Sequence, residues 1–425
     1  MKGVNVLKAY KYRIYPTKTQ IELIEKHFGS TRFLYNYFLD YRQREYVKGQ
    51  KIGYLQTQAE LTKLKSTDEY SWLNECGSQS LQMALRELDN AYQRFFKKLG
   101  GYPKYKSKKN PHQSFTAPQN IKIESNRIFI PKFTKDGLKA KIHRDVPNGA
   151  VLKQATVSRT SNQYFISILI EDNVSIPKPI KAKKAVGLDM GIESFVTTSD
   201  FVKYPNLKHF VKSQDKLKKL QRRLSKKQHS RKKGDTTPQS NNFKKQKLKV
   251  QKLHIKISNQ RKDYIHKISN EITNQYDIIS LETLNIKGMV KNKRLSKSIS
   301  DVAWSEFMRQ LEYKSLWKGK TIIKIDKWFP SSQICSNCGS STGKKKLNIR
   351  KFDCPHCGTQ NLDRDINASI NIRNYGLGQL DNRNTAGTVE IQACGVSSSG
   401  ITTSYGVVVS YDTMKQEAQS SLAIG

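Results

Sequence analysis

Alternating hydrophobic and polar positions predict a β-strand near the start of the chain. Tyr10, Tyr12 and Ile14 are separated by basic residues, which is the period of two expected of a strand. Several strand-like segments within residues 126–172 are joined by short polar connections, and this pattern predicts a small β-barrel. We expect the first strand to join the edge of that barrel, with residues 17–100 inserted between the two parts.

Residues 17–100 show helical rather than strand periodicity. Thr17 and Gln20 have the spacing of a capping box, which predicts the start of a helix. Gly29 and Ser30 then interrupt the pattern, and two interpretations stay open: a helix-turn-helix or a plain helical bundle. Farther on, hydrophobic residues repeat at helical spacing and predict a face packed into a core: Leu81, Leu85, Leu88, Tyr92 and Phe95.

The second half of the chain alternates strands with helices. "AVGLDMGIESFVTTS" predicts a hairpin with Asp189 inside a buried strand, and "YDIISLE" predicts a buried strand with Glu282 near its end. "LDRDINASINI" predicts a helix that begins near Asp365 and ends at Gly376. Beyond residue 376 the chain is rich in Gly, Ser and Thr, and we expect a disordered tail.

Two basic amphipathic helices are predicted between residues 205 and 275. Residues 211–260 contain 17 Lys and Arg but only two acidic residues. Such a run is often only a solvated face. Because the charge here lies on amphipathic helices, with a mobile turn expected between them, a surface that follows a phosphate backbone is the favoured interpretation. The candidate contacts are Lys218, Lys219, Arg222 and Arg223.

The net charge of the whole chain points in the same direction. The 425 residues include 76 Lys and Arg against 35 Asp and Glu, a formal charge of +41. Such an excess repels itself unless a polyanion neutralises it, which favours a nucleic-acid partner over an uncomplexed basic surface. No apolar run is long enough for a membrane span and the start lacks the apolar region of a signal peptide, so we expect a cytoplasmic protein without membrane contact.

Four of the six cysteines have the spacing of a metal site. Cys335, Cys338, Cys354 and Cys357 form two C-x2-C pairs separated by fifteen residues, as in a four-thiolate zinc ribbon. Disulfide pairing is disfavoured by the reducing cytosol expected for this chain. The sequence therefore predicts one structural Zn²⁺.

Three acidic residues occupy comparable places and predict a second metal site. Asp189 and Glu282 belong to predicted strands and Asp365 to the head of a predicted helix, so all three can meet at one edge of a mixed sheet. An acid in an apolar strand is costly unless it is paired or binds a cation. Two Mg²⁺ ions that activate water and stabilise a leaving 3′-oxygen require such oxygen ligands.

At this point the sequence resembles TnpB, a family of RNA-guided DNA nucleases carried by insertion sequences and related to type V CRISPR effectors. The resemblance covers nearly the whole chain, with only minor departures at Leu188 and Ser369. It rests on these motifs, in family order: "YKYRIYPT", "GLDMGI", "LETLNIKGM", "PSSQICSNCG", "FDCPHCG", "DRDINASINI" and "RNTAGTVEIQACG".

The resemblance implies an α+β multidomain protein. An N-terminal β-barrel-like domain with an inserted helical bundle would be followed by a RuvC-like nuclease of RNase H fold, which has a mixed α/β sheet. It places Asp189, Glu282 and Asp365 at the three catalytic positions. The expected domains are a wedge-type barrel (1–16 and 101–180), a helical recognition domain (17–100), the nuclease (181–333 and 358–376), the zinc ribbon (334–357) and the tail (377–425).

The resemblance also implies partners: a guide RNA from the transposon end and a double-stranded DNA target beside a short flanking motif, bound by a monomer. Asp363 is expected to cap the helix of Asp365, and Arg364 to contact phosphate; simple helix-start chemistry is the alternative for both.

Two other functions compete with the nuclease. A tyrosine transposase needs a His-hydrophobic-His pair, and no two of the eight histidines are two residues apart, although a carboxylate strand-transfer enzyme is compatible with the spacing. An inactive RNA-guided repressor would lack one of the three acids, and all three are present.

Overall fold

The computed structural model describes residues 5–133, 135–175, 177, 183–228, 238–346 and 348–385. Within them the chain forms two compact units, one ending at residue 175 and the other following it. In the described parts no helix is long and apolar enough to cross a membrane.

The first unit combines helices with a seven-stranded sheet. Its elements, in chain order, are β1 (Asn5–Ile14), α1 (Lys18–Val47), α2 (Tyr54–Ser66), a 3₁₀ helix (Asp68–Glu75), α3 (Ser78–Phe96), β2 (His112–Ala117), β3 (Lys122–Glu124), β4 (Arg127–Phe129), β5 (Leu138–Lys141), β6 (Val151–Thr160) and β7 (Gln163–Ser175).

The first strand lies inside the sheet and not at its edge, so that part of the sequence prediction is wrong. The strand order is β2-β6-β7-β1-β5-β4-β3, and β1 pairs in antiparallel fashion with both β7 and β5. Tyr12 and Ile14 are almost completely buried because β1 has a hydrogen-bonded neighbour on each side. Strand β2, which follows a segment rich in Lys, Pro and Gly, was not predicted from the sequence.

The predicted break at Gly29 and Ser30 is also wrong, because α1 runs through both residues. The helix starts at the predicted capping box, where Thr17 accepts from the backbone of Gln20 and Gln20 returns the hydrogen bond. The Ser30 hydroxyl donates to the carbonyl of Lys26 one turn earlier, and Ser30 is buried. The turn of a helix-turn-helix is therefore not formed at these two residues, and α1 packs with α2 and α3 around a common core.

The second unit is a mixed sheet with helices. Its elements are β8 (Ala185–Asp189), β9 (Ser194–Thr198), β10 (Lys203–Pro205), α4 (His209–Lys226), α5 (Asn241–Gln275), β11 (Ile278–Glu282), α6 (Ile286–Val290), α7 (Ser296–Val302), α8 (Trp304–Trp317), β12 (Thr321–Ile325), a 3₁₀ helix (Ser331–Gln333), β13 (Lys351–Phe352), β14 (Leu362–Asp363) and α9 (Arg364–Thr385).

Five strands form the sheet of this unit in the order β10-β9-β8-β11-β12. Strands β8, β11 and β12 are parallel, whereas β9 and β10 pair in antiparallel fashion. Val186 and Leu188 of β8 lie beside Ile279 and Leu281 of β11, and these four side chains belong to a core shared with α5 and α8. The intervening residues of both strands therefore point to the opposite face.

Helix α9 covers that opposite face at two close approaches. A Cβ added to Gly187 of β8 would lie 2.0 Å from the carbonyl oxygen of Ser369, and one added to Gly376 would lie 2.2 Å from the Oγ of Ser280 in β11. The predicted end of the helix at Gly376 is therefore wrong. This glycine instead permits the helix to approach the sheet. The helix continues to Thr385, into the predicted disordered tail, and the rest of that tail lies outside the described residues.

The two basic helices form as predicted and pack against each other. Leu217 of α4 and Val250, Leu253 and Ile257 of α5 are buried in a small core of their own. The predicted mobile turn between the helices lies largely outside the described residues.

Candidate active site and metal centre

The three candidate acids meet at the carboxyl end of the parallel strands. Asp189 is the last residue of β8, rather than internal to it, and Glu282 is the last residue of β11. The strands pair Leu188 with Leu281, so Asp189 and Glu282 are next to each other in register and project to the same face.

Asp365 is brought to the same edge by α9. Gly187 of β8 lies against Ser369 and Gly376 lies against Ser280 of β11, and since Gly187 and Ser280 are paired in the sheet, the helix crosses from β8 to β11. Asp365 is the second residue of that helix. Its charge is felt at Asp189, as is the charge of Glu282.

The electrostatics of this edge favour a cation. Burial raises the pKa of Asp189 well above its usual range, and repulsion from Glu282 and Asp365 raises it further, against weaker attraction from Arg364 and Lys203. Burial also raises the pKa of Glu282, although a hydrogen bond from Ser331 opposes the shift. Asp365 also has a basic partner, since the Nη1 of Arg350 lies 3.6 Å from its Oδ1. A buried acid whose pKa is raised by neighbouring acids is typical of functional sites.

The start of α9 is fixed by Asp363. Its Oδ1 accepts from the amides of Asp365 and Ile366, both at 3.1 Å, and its Oδ2 accepts from Lys203 at 2.7 Å. Burial acts against ionisation, but these hydrogen bonds hold the pKa of Asp363 below its usual value. Asp363 is therefore an N-cap, as the sequence predicted. The side chain of Arg364 donates to the carbonyl of Lys346 at 3.0 Å.

The four predicted cysteines form a site that could hold a metal ion. The Sγ atoms of Cys335, Cys338, Cys354 and Cys357 all lie within 4.8 Å of one another. Burial raises the pKa of Cys335 to about 11, whereas hydrogen bonds with Thr359 lower that of Cys357 to about 6. Across the described parts of the chain, no other group of three or more His, Cys, Asp or Glu is this compact, so the three carboxylates are spread more widely.

The two cysteine pairs have the same backbone geometry. The amide of Gly339 donates to the carbonyl of Cys335 at 2.9 Å, and the amide of Gly358 donates to that of Cys354 at 3.1 Å. Both glycines have positive φ, +75° and +71°, a conformation that side chains disfavour. Each pair is therefore a tight turn that points two sulfurs to one position. The associated hairpin β13–β14 extends to Asp363, past the predicted end of the ribbon at 357.

Two buried asparagines join the cysteine site to α9. Asn367 donates to the carbonyl of Ile334 at 2.7 Å and accepts from the amide of Ser336 at 2.8 Å. One turn later, Asn371 donates to the carbonyls of Ser331 and Ile334. These amides hold the first cysteine turn against the helix that carries Asp365.

The hydrogen bonds continue to a second acid. The Ser331 hydroxyl donates to Oε1 of Glu282 at 2.7 Å. The sequence patterns did not lead to Ser331, Asn367 or Asn371 as residues of the site. The i, i+4 spacing of the two asparagines, inside a helix next to a metal motif, was the available signal.

The candidate basic contacts lie apart from these residues on α4. Lys218, Lys219, Arg222 and Arg223 are all exposed, whereas Leu217 on the same helix is buried against α5. The charges therefore cover the outer face of the α4–α5 pair.

Three family models match separate parts of the chain. Residues 165–293 match the OrfB_IS605 family, described as "Probable transposase", and residues 304–372 match the TNB domain of Cas12f1-like proteins. Residues 1–51 match a family described as a helix-turn-helix domain.

Whole-chain relatives agree with these matches. A protein of Streptomyces pristinaespiralis named "Putative RNA-guided DNA endonuclease" is 38% identical over 88% of this chain and 90% of its own length. An Escherichia coli K12 protein with the same description is 33% identical over 86% of this chain and 91% of its own.

A solved structure shares the fold. The chain of a cryo-EM structure of a Cas12f1–sgRNA–target DNA complex matches with a TM-score of 0.52 and 15% identity, over 87% of this chain and 99% of the other. Fold and site thus define a mixed α/β protein of Cas12f1-like architecture with a four-cysteine site. The chain belongs to the TnpB (OrfB_IS605) family.

Proposed function

We propose that this protein is an RNA-guided DNA endonuclease of an insertion sequence. The observation that carries the proposal is the meeting of Asp189, Glu282 and Asp365 at one sheet edge, where burial and mutual repulsion raise the pKa of Asp189. The names of the two bacterial relatives support the guided activity. A repressor without cleavage activity would have no need to keep three repelling acids together.

The three carboxylates are the residues that would hold Mg²⁺. Their oxygens are hard ligands, and burial and mutual repulsion raise the pKa of Asp189, so a bound cation would stabilise its ionised form. The family resemblance implies a site for two ions, about 3.5–4 Å apart. Bound Mg²⁺ would activate a water and stabilise the charge of a leaving 3′-oxygen. Ser331 orients Glu282 by its hydrogen bond, and Asp363 orients Asp365 by capping α9.

Zinc is the ion proposed for the cysteine site. Four thiolates in a closed group are the ligands of structural zinc, with Zn–S distances of about 2.3 Å. The tight turns at Gly339 and Gly358 already direct the sulfurs to one position. Since Asn367 ties the first turn to α9, zinc would stabilise the position of Asp365 without taking part in the chemistry.

Binding of a guide RNA and a DNA duplex is proposed from the charge and from the relatives. Base pairing with the guide would specify the target, and the protein would read only the backbone and a short flanking motif. The exposed basic face of α4 suits a backbone contact. The proposed domain division, with a barrel and helical bundle for RNA and flanking-motif binding, follows from the resemblance to the family. A monomer in the cytoplasm is proposed on the same ground.

Neutralising the α4 face is expected to weaken binding to all nucleic-acid sequences alike. Changing Lys218, Lys219, Arg222 and Arg223 together to Gln should reduce the slope of log affinity against log salt. The expected reduction is about 0.9 for each phosphate of duplex DNA that the protein no longer neutralises. Exchanging Lys for Arg and Arg for Lys at the same four positions keeps the charge and should keep the slope. An unchanged slope in the Gln variant, on both RNA and DNA, would show that this face is only solvated.

The guided activity can be tested with the RNA that the full chain retains. The RNA that co-purifies is sequenced, and plasmids are made that carry its complement beside a randomised flanking segment. Cleavage is expected only in plasmids with the complement, and the cut population should be enriched in one flanking motif. Equal cleavage of plasmids without the complement would contradict guidance, and strand joining in place of cleavage would favour the transposase alternative.

A further inference from the structure

The loop after β12, residues 326–330, exposes a large aromatic side chain beside the acidic site. Trp328 is 79% exposed, whereas Trp304 is 2% and Trp72 is 39% exposed. The loop holds Trp328 in place, since the Trp328 amide donates to Oδ1 of Asp326 at 2.7 Å. Single exposed rings are common on protein surfaces, so the case for binding depends on where this ring is held and on its neighbours.

Both ends of this loop are attached to Glu282. At one end Ile325 pairs with Glu282 in the sheet. At the other end Ser331 donates to the Glu282 carboxylate at 2.7 Å. Between them Phe329 stacks on Tyr375 of α9, with ring centroids 4.0 Å apart and planes 24° apart. The loop is thus held at Ile325, Phe329 and Ser331, and it exposes Lys327 and Trp328 to solvent between them.

The attachment limits the distance between Trp328 and the site. Trp328 is three residues from Ile325 and three from Ser331, and consecutive Cα atoms are about 3.8 Å apart, so its Cα lies within about 11 Å of each. Stacked nucleotides advance by about 3.4 Å along one strand. Since Ile325 pairs with Glu282 at a strand spacing of about 4.8 Å, the Cα of Trp328 lies within about 16 Å of the Cα of Glu282, or about five stacked nucleotides.

The immediate neighbour of the ring is a cation. The Nζ of Lys327 lies 4.4 Å from the centroid of the Trp328 ring, and Lys327 is exposed. An exposed aromatic ring with an adjacent lysine is the combination with which proteins hold unpaired nucleic-acid strands, the ring stacking on a base and the cation following the backbone. Bases in a duplex are already stacked on their neighbours, so an unpaired strand suits the ring better.

We propose that Trp328 stacks on an unpaired base of the DNA strand that enters the acidic site, with Lys327 contacting its backbone. This platform would position the strand a few nucleotides from the bond to be cut. The proposal rests on the proposed nuclease function, and it adds a sequence-independent contact for the substrate strand. An exposed tryptophan can also dock a second copy of the chain, and the experiments distinguish that outcome.

The binding step is tested by tryptophan fluorescence, which does not require cleavage. The full chain with its co-purified RNA, carrying Asp189→Asn, is titrated with oligodeoxythymidylate, with and without Trp328→Phe. Phenylalanine keeps a stacking ring but removes the fluorophore. The oligonucleotide is expected to quench tryptophan fluorescence in the parent protein. The part of this quenching that comes from Trp328 should be missing in the Phe variant. Equal quenching in both proteins would overturn the proposal, as would a change in sedimentation that depends on Trp328 without any quenching by the oligonucleotide.

The contribution to cleavage is tested under single-turnover conditions. Stacking one base on an aromatic ring contributes enough for about a tenfold effect. Trp328→Ala should therefore lower the cleavage rate about tenfold with target affinity nearly unchanged, and Trp328→Phe should recover most of the rate. The matched control is Phe201→Ala, because Phe201 is 69% exposed and lies between β9 and β10, the edge strand on the side of the sheet away from β12.

The outcomes separate this proposal from the nuclease assignment. Wild-type cleavage by Trp328→Ala, together with loss of cleavage in Asp189→Asn, would refute the platform alone. If the unmodified protein does not cleave, the nuclease assignment fails, and the quenching experiment still decides whether Trp328 contacts a strand.

Discussion

Asp189→Asn is expected to abolish guided DNA cleavage while leaving the fold intact or more stable. Asparagine keeps the shape of the side chain but removes a charge that would ligate Mg²⁺. A loss of at least about 10³-fold is expected, which corresponds to about 4 kcal/mol of transition-state stabilisation. Single-turnover cleavage of a labelled target measures the loss, and filter binding should show nearly unchanged target affinity.

The stability of the same variant gives an independent signature. Burial and the charges of Glu282 and Asp365 raise the pKa of Asp189, so the ionised acid destabilises the metal-free protein. The neutral side chain removes that repulsion, and the melting temperature without Mg²⁺ should be equal or higher. A structural acid would behave in the opposite way, losing stability and activity together.

Two comparisons complete this experiment. Glu282→Gln and Asp365→Asn should lose cleavage to a similar extent. Asp263→Asn, which neutralises an exposed acid on α5 that pairs with Lys267 one turn away, should change neither cleavage nor stability measurably. Full cleavage by any of the three site variants would refute the assignment of the catalytic acids.

The sequence predicted Glu282 and Asp365 near element ends, because one follows an apolar run and the other precedes a helical one, but it placed Asp189 inside a strand and not at its end. The sequence predicted that the acids could meet at one sheet edge, but not that β8 and β11 pair directly, since α4 and α5 intervene between them and pairing order depends on long-range packing. The four cysteines were predictable because their spacing alone defines two tight turns. The hydrogen bonds of Asn367 and Ser331 join α9, the first cysteine turn and the end of β11, and a local sequence pattern cannot predict contacts between such distant segments.

Two of the errors, at Gly29 and Gly376, share one physical cause. Gly29 and Gly376 have the local character of helix breakers, and both were interpreted in that way. In the folded chain the helix at Gly29 is held by hydroxyl contacts and by the burial of its neighbour Ser30, while Gly376 is required where α9 approaches Ser280. Tertiary packing overrides propensity at both positions. A glycine in a helix therefore has to be judged by what lies opposite it.

Removing one cysteine ligand is expected to release the metal and to disable cleavage at a distance. Cys354→Ser should lower the zinc content from about one ion per chain to near zero, because a structural site depends on all its thiolates. Without the metal the first cysteine turn loses its closure, and Asn367 and Asn371 lose a fixed partner. The position of α9, and of Asp365 with it, then becomes less defined, so cleavage should fall at least tenfold.

Metal analysis and single-turnover cleavage measure the two effects on the same preparation. The matched control is Cys76→Ser, since Cys76 is a buried thiol outside the cysteine site whose Sγ lies 3.2 Å from the Ser30 hydroxyl. It should keep its zinc and its activity. If Cys354→Ser lost the metal but cleaved at the wild-type rate, the ribbon would be a separate module and the asparagine contacts would not position the acid. If Cys354→Ser kept both its zinc and its cleavage activity, the four cysteines would not be the zinc ligands. Loss of both, with the Cys76→Ser control unaffected, is the result expected of a metal site that holds the catalytic helix in place.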